Sequence, residues 1–439
     1  MKQIVIIGNS AAGIAAVEAI RQRDKQSKIV VISDEDYPSY CRCLISYYLA
    51  QDVKEDKILY RLESFYKENN IELLLNKKVL RVDPKKNRLI FEDKNQLTYD
   101  YLLIATGASP KFPELPGVKK RGVFGFRTLK DTKDIEELLP VTKTACVLGG
   151  GLIGLKAAYA LCKRDIEVKV IVKSKQVLSQ MLDFQAANLV QQRLEESGIQ
   201  IVVGQDAVEI IGNGDIKAVK LDSGKVFGCS LVIVGKGVEP NIDLIKDTEI
   251  KANVGIIANN LLQTNIPNIY TAGDVCESFD LTIGKYSVNA LWPIAVEQGK
   301  IAGANMAGDN INYEGSLGMN SIEFFGLPAI SLGIYKINPV RKDISGEGKF
   351  SNGVKEEEKS LFEEFKILDA KANIYKKLIL KDNVLVGAIL VGDIKNGGVF
   401  LRLIRERINV SPFKDRLLQD NFGYPDIMDF VKDKENIYV

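Results

Sequence analysis

The sequence predicts an α/β protein, because a strand–turn–helix–strand pattern occurs in it twice and a different pattern follows. The first copy runs from the apolar, β-branched stretch 2–7 through a glycine turn and a helical stretch to the strand-like segment 28–33. The second copy runs from the strand-like segment 145–150 to that at 167–172. Two copies of one β–α–β unit predict two nucleotide-binding lobes with parallel sheets.

Length and composition are those of an ordinary globular protein. The chain has 439 residues, which suggests two to four domains. Lys and Arg number 59 against 57 Asp and Glu, so the net charge of +2 gives no reason to expect nucleic acid or a membrane surface as a partner. No apolar run has the length of a membrane span, and a strand begins almost at the N-terminus, which leaves no room for a signal peptide. We therefore expect a cytoplasmic location.

The absence of histidine narrows the possible chemistry most. It excludes a Ser-His-Asp triad, a histidine metal site and a histidine general base. The six cysteines contain no C-x-x-C pair, so zinc or cluster ligation is poorly supported and no metal is expected. The chemistry is left to a cofactor, a thiol, carboxylates, lysines or backbone dipoles.

The first glycine turn has the spacing of a phosphate-binding turn. Gly8-x-Ser10-x-x-Gly13 follows a strand and opens a helix, so that small residues and the helix N-terminus face a pyrophosphate. An acidic residue is expected about 20 residues further on to bind ribose hydroxyls, and Asp34 and Glu35 are the candidates. A glycine turn used only for packing is the alternative. The predicted contact residues are Gly8, Asn9, Ser10, Ala11, Ala12 and Gly13.

The second turn carries the complete G-x-G-x-x-G pattern. Its predicted contact residues are Gly149, Gly151, Leu152, Ile153 and Gly154. The next strand ends at Lys173 and Lys175, where a carboxylate would favour NAD and cations suit a 2′-phosphate. The sequence therefore favours NADPH over NADH, although a solvated lysine pair remains the alternative.

The remaining segments complete the pattern. Strand-like segments at 99–110, 230–241 and 268–275 end at glycine turns, and residues 111–117 form a proline-rich linker. After Gly315 the pattern changes, with a predicted hairpin at 375–393 around Asp382-Asn383 and a helix at 398–408. Residues 341–366, rich in charge, are predicted to be a solvated loop.

The chain contains two glycine turns of the dinucleotide-binding type, and it also contains the motifs Ala105-Thr106-Gly107 and Gly273-Asp274. With this combination the chain resembles the FAD-dependent pyridine nucleotide–disulfide oxidoreductase superfamily. This resemblance implies an α/β fold with two Rossmann-like (three-layer ββα) dinucleotide-binding domains, the second inserted in the first, plus a C-terminal α+β interface domain. The FAD-binding domain would comprise residues 1–110 and 237–315, and the NAD(P)H-binding domain residues 111–236. Residues 316–439 would form the interface domain, which implies a homodimer.

The resemblance also implies further cofactor contacts. Asp274 would bind the ribityl chain of FAD, and the helix that begins near Trp292 and Pro293 would point its N-terminus at the flavin. Arg42 would neutralise the FAD pyrophosphate. The other implied cofactor residues are Val79, Ala105, Thr106, Gly107, Arg127, Gly237 and Gly273.

The segment 37–50, YPSYCRCLISYYLA, resembles two subgroups at once. Tyr40, Arg42 and Leu44 match the pattern of nitrite reductase large subunits and rubredoxin reductases, as do Tyr47 and Tyr48. Cys43 stands where CoA-disulfide reductase, NADH oxidase and NADH peroxidase carry a redox cysteine. The C-x-x-x-x-C motif of glutathione-reductase-like enzymes is absent, which excludes that class.

Cys43 therefore has two interpretations. It is either a redox-active thiol, as a catalytic residue, or a small residue that lines the flavin pocket, which the surrounding pattern favours. A disulfide between Cys41 and Cys43 would be strained.

The expected function is transfer of electrons from NADPH or NADH through FAD to a small iron–sulfur or rubredoxin-like carrier, or the reverse from ferredoxin. One alternative is a thiol-using reductase that acts through Cys43. The other is a subunit that only passes electrons within a larger redox complex.

Overall fold

A computed structural model describes residues 2–339, 353–354 and 362–431. Two compact units are present. Unit 1 comprises Met1–Gly149, Ile153–Ile171 and Asp206–Ser316, and unit 2 comprises Gly150–Leu152, Val172–Gln205 and Leu317–Val439. The three domain ranges given above stay a prediction. Among the described residues, no helix has the length and apolar character needed to cross a membrane.

The first lobe is built on a parallel sheet. The elements of this part of the chain are β1 (Gln3–Ile7), α1 (Ala11–Arg23), β2 (Lys28–Ile32), α2 (Ile45–Leu49), α3 (Glu55–Ile58), α4 (Glu63–Glu68), β3 (Ile71–Leu74), β4 (Val79–Asp83), β5 (Arg88–Phe91), β6 (Gln96–Thr98), β7 (Tyr101–Ile104), β8 (Ala108–Pro110) and β9 (Val123–Phe124), the last of which joins the sheet of the second lobe. β1 pairs in parallel with both β2 and β7, and β2 with β3. Strands β4, β5 and β6 form a separate antiparallel sheet. The apolar run of β1 is buried because helices and strands cover both faces of a parallel sheet.

The second lobe repeats this arrangement. Its elements are α5 (Leu129–Leu138), β10 (Thr144–Leu148), α6 (Leu152–Cys162), β11 (Glu167–Val172), α7 (Phe184–Glu196), β12 (Gln200–Val203), β13 (Ala207–Asn213), β14 (Asp215–Leu221), β15 (Val226–Gly228), β16 (Leu231–Val234) and β17 (Val238–Pro240). β10 pairs in parallel with β11 and β16, and β16 with β9. Strands β13, β14 and β15 form an antiparallel sheet, so each lobe combines a parallel sheet, an antiparallel sheet and helices.

The chain then returns to the first lobe. Its elements here are β18 (Ile256–Ile257), β19 (Ile269–Thr271), β20 (Cys276–Asp280), β21 (Lys285–Val288) and α8 (Trp292–Met306). β19 pairs in parallel with β7 and completes the first five-stranded sheet. The predicted insertion of one nucleotide-binding fold into the other is therefore confirmed.

Helices α8 and α1 approach each other through glycine. A Cβ atom on Gly299 would lie 2.8 Å from the Cα of Ala12, and one on Gly303 would lie 2.7 Å from the Cα of Ala16. These distances are too short for a carbon–carbon contact, so only glycine permits this separation of the helices.

Unit 2 contains an antiparallel sheet. Its further elements are β22 (Met319–Phe324), β23 (Leu327–Gly333), β24 (Asn338–Pro339), β25 (Gly353–Val354), β26 (Phe362–Asp369), β27 (Ile374–Lys381), β28 (Val384–Val391) and α9 (Gly397–Arg405). The sheet order is β22-β23-β28-β27-β26. Asp382 and Asn383 both have positive φ, of 53° and 60°, as a two-residue hairpin turn requires. The predicted hairpin and the predicted helix that follows it are confirmed.

The prediction of a solvated loop at 341–366 is wrong for residues 353–354 and 362–366, which lie in strands. Residues 341–352 and 355–361 lie outside the described residues. The charged residues of β26 misled the prediction because some of them pair across the sheet, as Glu364 does with Lys377 of β27 at 2.8 Å.

Candidate functional site

The first glycine turn is packed so tightly that its glycines cannot be replaced without rearrangement. Gly8 has a φ of +125°, and a Cβ atom there would lie 2.8 Å from the carbonyl carbon of Ala105. A Cβ on Gly13 would lie 3.0 Å from the carbonyl carbon of Gly8. The Gly8 amide donates to the Ile32 carbonyl at 2.8 Å, which fixes the turn at the end of β1. The N-terminus of α1 is thereby held beside the strand ends, as a phosphate site requires.

The same turn contains a buried hydrogen-bond donor without a partner. The side-chain amide nitrogen of Asn9 is buried and has no hydrogen-bond partner among the residues that the structure describes, while its oxygen accepts from the Tyr66 hydroxyl at 2.8 Å. Ser10 caps α1 without a side-chain hydrogen bond, and Ala11 and Ala12 are buried behind it. Buried polar groups are nearly always paired, so this donor is an observation that fits a bound ligand.

The two acidic candidates have different surroundings. Asp34 is exposed, whereas Glu35 forms an ion pair with Arg42 and accepts a hydrogen bond from the Tyr40 hydroxyl at 2.6 Å. Burial raises the pKa of Tyr40 above its usual range, so this hydroxyl stays a donor. Arg42 also donates to the carbonyl oxygen of Arg127 at 3.2 Å. Glu35 thus holds Arg42 in place, and Asp34 is the better placed of the two for a ribose.

Arg127 and Asp274, which the resemblance assigns to the FAD site, form an ion pair with each other. Their side chains are 18% and 14% exposed, so both are largely removed from water. The Nε of Arg127 also donates to the Ala108 carbonyl at 3.2 Å, just after the Ala105-Thr106-Gly107 turn. A largely buried cation and carboxylate beside a glycine turn can bind hydroxyl and phosphate groups of a dinucleotide.

The motifs themselves are held by hydrogen bonds of the surrounding chain. The Thr106 hydroxyl donates to the Asn241 carbonyl at 2.9 Å, and Gly107, with a φ of +68°, would have open space beside a Cβ atom. The Gly273 amide donates to the side-chain oxygen of Gln298 in α8 at 2.8 Å. The first bond joins the turn after β7 to the segment after β17, and the second joins the turn after β19 to α8.

Four other predicted site residues belong to the same lobe. Trp292 and Pro293 are the first residues of α8, and the Trp292 ring packs edge-on against Tyr60 with 5.1 Å between centroids. Val79 begins β4 and packs against the apolar core of the first sheet. Cys43 has a free thiol, and its interaction with Cys41 raises the pKa of that thiol.

The second glycine turn has the same construction as the first. Gly149 has a φ of +122°, and a Cβ there would lie 2.8 Å from the carbonyl carbon of Gly235. A Cβ on Gly154 would lie 3.1 Å from the carbonyl carbon of Gly149. Gly151 has open space around it, and so does Gly237, whose φ is +95°. Leu152 and Ile153 then begin α6.

Lys173 and Lys175 directly follow β11 and are both exposed. Two other lysines of the second lobe have partners that the sequence did not indicate. Lys236 pairs with Asp206, and Lys156 of α6 donates to the Tyr47 hydroxyl of α2 at 2.8 Å. No local pattern marks either pair, because the partners are 30 and 109 residues apart.

Two tight glycine turns, each at a strand end and before a helix, define a protein that binds two dinucleotides. The unpaired Asn9 amide and the Arg127–Asp274 pair add polar contacts at the first turn, so the residues present fit FAD there and a nicotinamide dinucleotide at the second. This is the class of flavin- and nicotinamide-dependent oxidoreductases.

The chain belongs to the pyridine nucleotide-disulphide oxidoreductase family, whose profile matches residues 2–299. Members of this family bind FAD and NAD(P)H. Residues 343–408 match the C-terminal domain of rubredoxin NAD+ reductase.

Known relatives differ in the reaction that they catalyse. The chain is 32% identical over 412 residues to nitrite reductase [NAD(P)H] of Bacillus subtilis, which covers 93% of this chain and 48% of that protein. It is 37% identical over 313 residues to NADH oxidase of Methanocaldococcus jannaschii, covering 69% and 70%. A solved NAD-dependent persulfide reductase from A. fulgidus superposes with a TM-score of 0.83 at 26% identity, covering 97% of this chain and 80% of that one. The chain spans about half the length of the first curated relatives it matches.

Proposed function

We propose that this chain is an FAD-dependent oxidoreductase that takes hydride from NADPH or NADH and delivers electrons to a small iron–sulfur or rubredoxin-like carrier. The observation that carries the proposal is the C-terminal match to the rubredoxin NAD+ reductase domain, on a chain that already has two dinucleotide turns. The match favours a protein carrier over a small-molecule acceptor. The homodimer stays a separate proposal, which a monomeric mass by light scattering would contradict.

In this proposal each part of the chain has a separate task. The first turn and the N-terminus of α1 hold the FAD pyrophosphate, Asp34 binds a ribose, and Asp274, held by Arg127, binds the ribityl hydroxyls. FAD, when bound, accepts two electrons as hydride and can release them one at a time, which suits a one-electron carrier.

The second lobe would hold the nicotinamide donor. Its glycine turn faces the pyrophosphate, and the exposed Lys173 and Lys175 lie at the end of β11, where a 2′-phosphate would be bound. These lysines favour NADPH, because a phosphate dianion gains from two nearby cations and a free hydroxyl does not.

The first alternative is a thiol-using reductase acting through Cys43. It is supported by the free thiol of Cys43, which stands where the thiol-using subgroup carries its redox cysteine. The NADH oxidase and persulfide reductase relatives agree with it.

The second alternative is a subunit that only passes electrons within a larger complex. It is favoured by the fact that this chain spans 48% of the nitrite reductase it resembles.

The test is an anaerobic titration of the purified flavoprotein with NADPH and, separately, with NADH, followed by addition of rubredoxin or a [2Fe–2S] ferredoxin. We expect the flavin absorbance to bleach after one equivalent and the carrier to be reduced with turnover. A long-wavelength thiolate–flavin absorption band after two electrons, lost in the control variant Cys43→Ser, would favour the first alternative. Absence of turnover with either carrier, with disulfides or with oxygen would favour the second.

A further inference from the structure

Tyr66 of α4 is a buried residue whose hydroxyl is hydrogen-bonded on both sides and to which the proposed function gives no role. It is 5% exposed. Its hydroxyl oxygen accepts from the backbone N–H of Ser39 at 3.1 Å, and the hydroxyl donates to the side-chain oxygen of Asn9 at 2.8 Å. Burial raises the pKa of Tyr66, so the hydroxyl keeps its proton. Since a hydroxyl has a single proton and the Ser39 N–H is itself a donor, that proton is directed at Asn9.

The position of this hydroxyl is fixed by the packing of α4. Phe65, the neighbour of Tyr66, packs edge-on against its ring with 5.5 Å between centroids and also contacts the apolar core of the first lobe. The chain directly after α4 is joined to α1, because the buried Arg21 donates to the carbonyl oxygens of Asn69 at 2.6 Å and Asn70 at 3.1 Å. α4 is therefore held against α1, the helix that begins at the first glycine turn.

Asn9 lies in that glycine turn, directly before Ser10, the residue that precedes α1. Its side-chain nitrogen has no hydrogen-bond partner among the described residues, so the bond from Tyr66 orients the side chain. Ser10 forms no side-chain hydrogen bond with the first turn of α1, although a serine at this position usually fixes the start of a helix in that way. The bond between Tyr66 and Asn9 therefore takes over the task of fixing the start of α1.

We propose that Tyr66 is a positioning residue for the FAD pyrophosphate, because its hydroxyl holds Asn9, and with it the start of α1, in the orientation that phosphates need. The first N–H groups of a helix have no acceptor within the helix, and they bind a phosphate when they point to a common centre. A turn that can shift loses this convergence. The proposal rests on FAD binding at the first turn and does not depend on the electron acceptor, so measurements of binding test it apart from the carrier.

The first measurement is the Kd of the apoprotein for FAD, followed by the change in flavin fluorescence on binding. Tyr66→Phe removes the hydroxyl and keeps the ring, so we expect the Kd to rise about tenfold. The matched control is Tyr99→Phe, because Tyr99 is 3% exposed and its buried hydroxyl has no hydrogen-bond partner among the residues described. This control should leave the Kd unchanged.

Two further measurements locate the effect. ADP carries the pyrophosphate without the flavin, so its inhibition constant in competition with FAD should rise in Tyr66→Phe by the same factor as the Kd for FAD. Asn9→Ala removes the side chain that Tyr66 orients, so it should also raise the Kd for FAD, and Tyr66→Phe should have little further effect in that background. Thermal unfolding of each apoprotein checks that it is folded at the assay temperature, since Tyr66→Phe also leaves the Ser39 N–H without its acceptor.

Three results would overturn the proposal. One is an unchanged Kd for FAD in a folded Tyr66→Phe apoprotein. Another is a raised Kd for FAD with an unchanged inhibition constant for ADP, which would place the effect at the flavin, through Ser39. The third is a wild-type Kd for FAD in Asn9→Ala. That variant keeps the bond between Tyr66 and Ser39, so it tests the proposal even if Tyr66→Phe does not fold.

Discussion

The contact between α1 and α8 predicts that Gly303→Ala weakens both the fold of the first lobe and its hold on FAD. The added methyl group would lie 2.7 Å from the Cα and 2.9 Å from the carbonyl carbon of Ala16, and backbone atoms cannot rotate away as a side chain can. The two helices must therefore separate by several tenths of an ångström or more. Because α1 carries the first glycine turn, that movement displaces the turn as well.

The expected loss of stability in Gly303→Ala is the difference between two opposing effects. Overpacking in a close contact costs about 1–3 kcal/mol, and the better helix propensity of alanine returns up to about 1 kcal/mol. We expect a net loss of about 1–2 kcal/mol, which lowers the melting temperature by roughly 2–8 °C for a domain of this size.

The control is Gly398→Ala in α9, the same substitution at an exposed helical position with no neighbouring atom within 4 Å. This control substitution should raise the free energy of unfolding by up to about 1 kcal/mol. Thermal unfolding followed by circular dichroism, with flavin fluorescence recorded to detect release, measures both variants. If Gly303→Ala melts at or above the wild-type temperature and retains its flavin, the close contact is not as described.

Three further predictions concern charged groups. Arg127→Gln removes the cation that pairs with Asp274, so FAD affinity measured by fluorescence during reconstitution should fall at least about tenfold; unchanged affinity would contradict the assigned contact. Replacing both Lys173 and Lys175 by alanine should raise the KM for NADPH about tenfold and leave that for NADH nearly constant, and equal changes for the two nucleotides would show that the lysines are only solvated. Hydrogen bonds from Ser27 lower the pKa of Asp24 to about 2, so its stabilising contribution is present above about pH 4 and is lost as the pH falls towards 2. Asp24→Asn should therefore lower the denaturation midpoint at pH 7 and have little effect near pH 2, and a constant difference would refute this.

Periodic features of the sequence made much of the fold predictable. The β-branched runs at 3–7 and 28–32, the two glycine turns and the Asp382-Asn383 hairpin each depend on neighbouring residues, so local pattern suffices to find them. β26 was missed because its charged residues look like those of a solvated loop unless the partner strand is known.

The site was less predictable because its side chains form hydrogen bonds and ion pairs with residues that are distant in the sequence. The sequence offered Glu35 as a ribose ligand and Arg42 as a phosphate ligand, but the structure pairs the two with each other. Such choices depend on distances and rotamers that spacing does not encode.

The contact between α1 and α8 also determines which lobe can fold first while the protein is being synthesised. Ribosomes add about 5–20 residues per second, so roughly 15–60 s separate Gly13 from Gly303. During this interval β10, β11 and β16 of the second lobe are already complete and can pair. The first sheet still lacks β19, and α1 lacks its helical neighbour. Until the ribosome has passed α8, the first lobe thus lacks both β19 and α8, so we expect stable flavin binding only after that point.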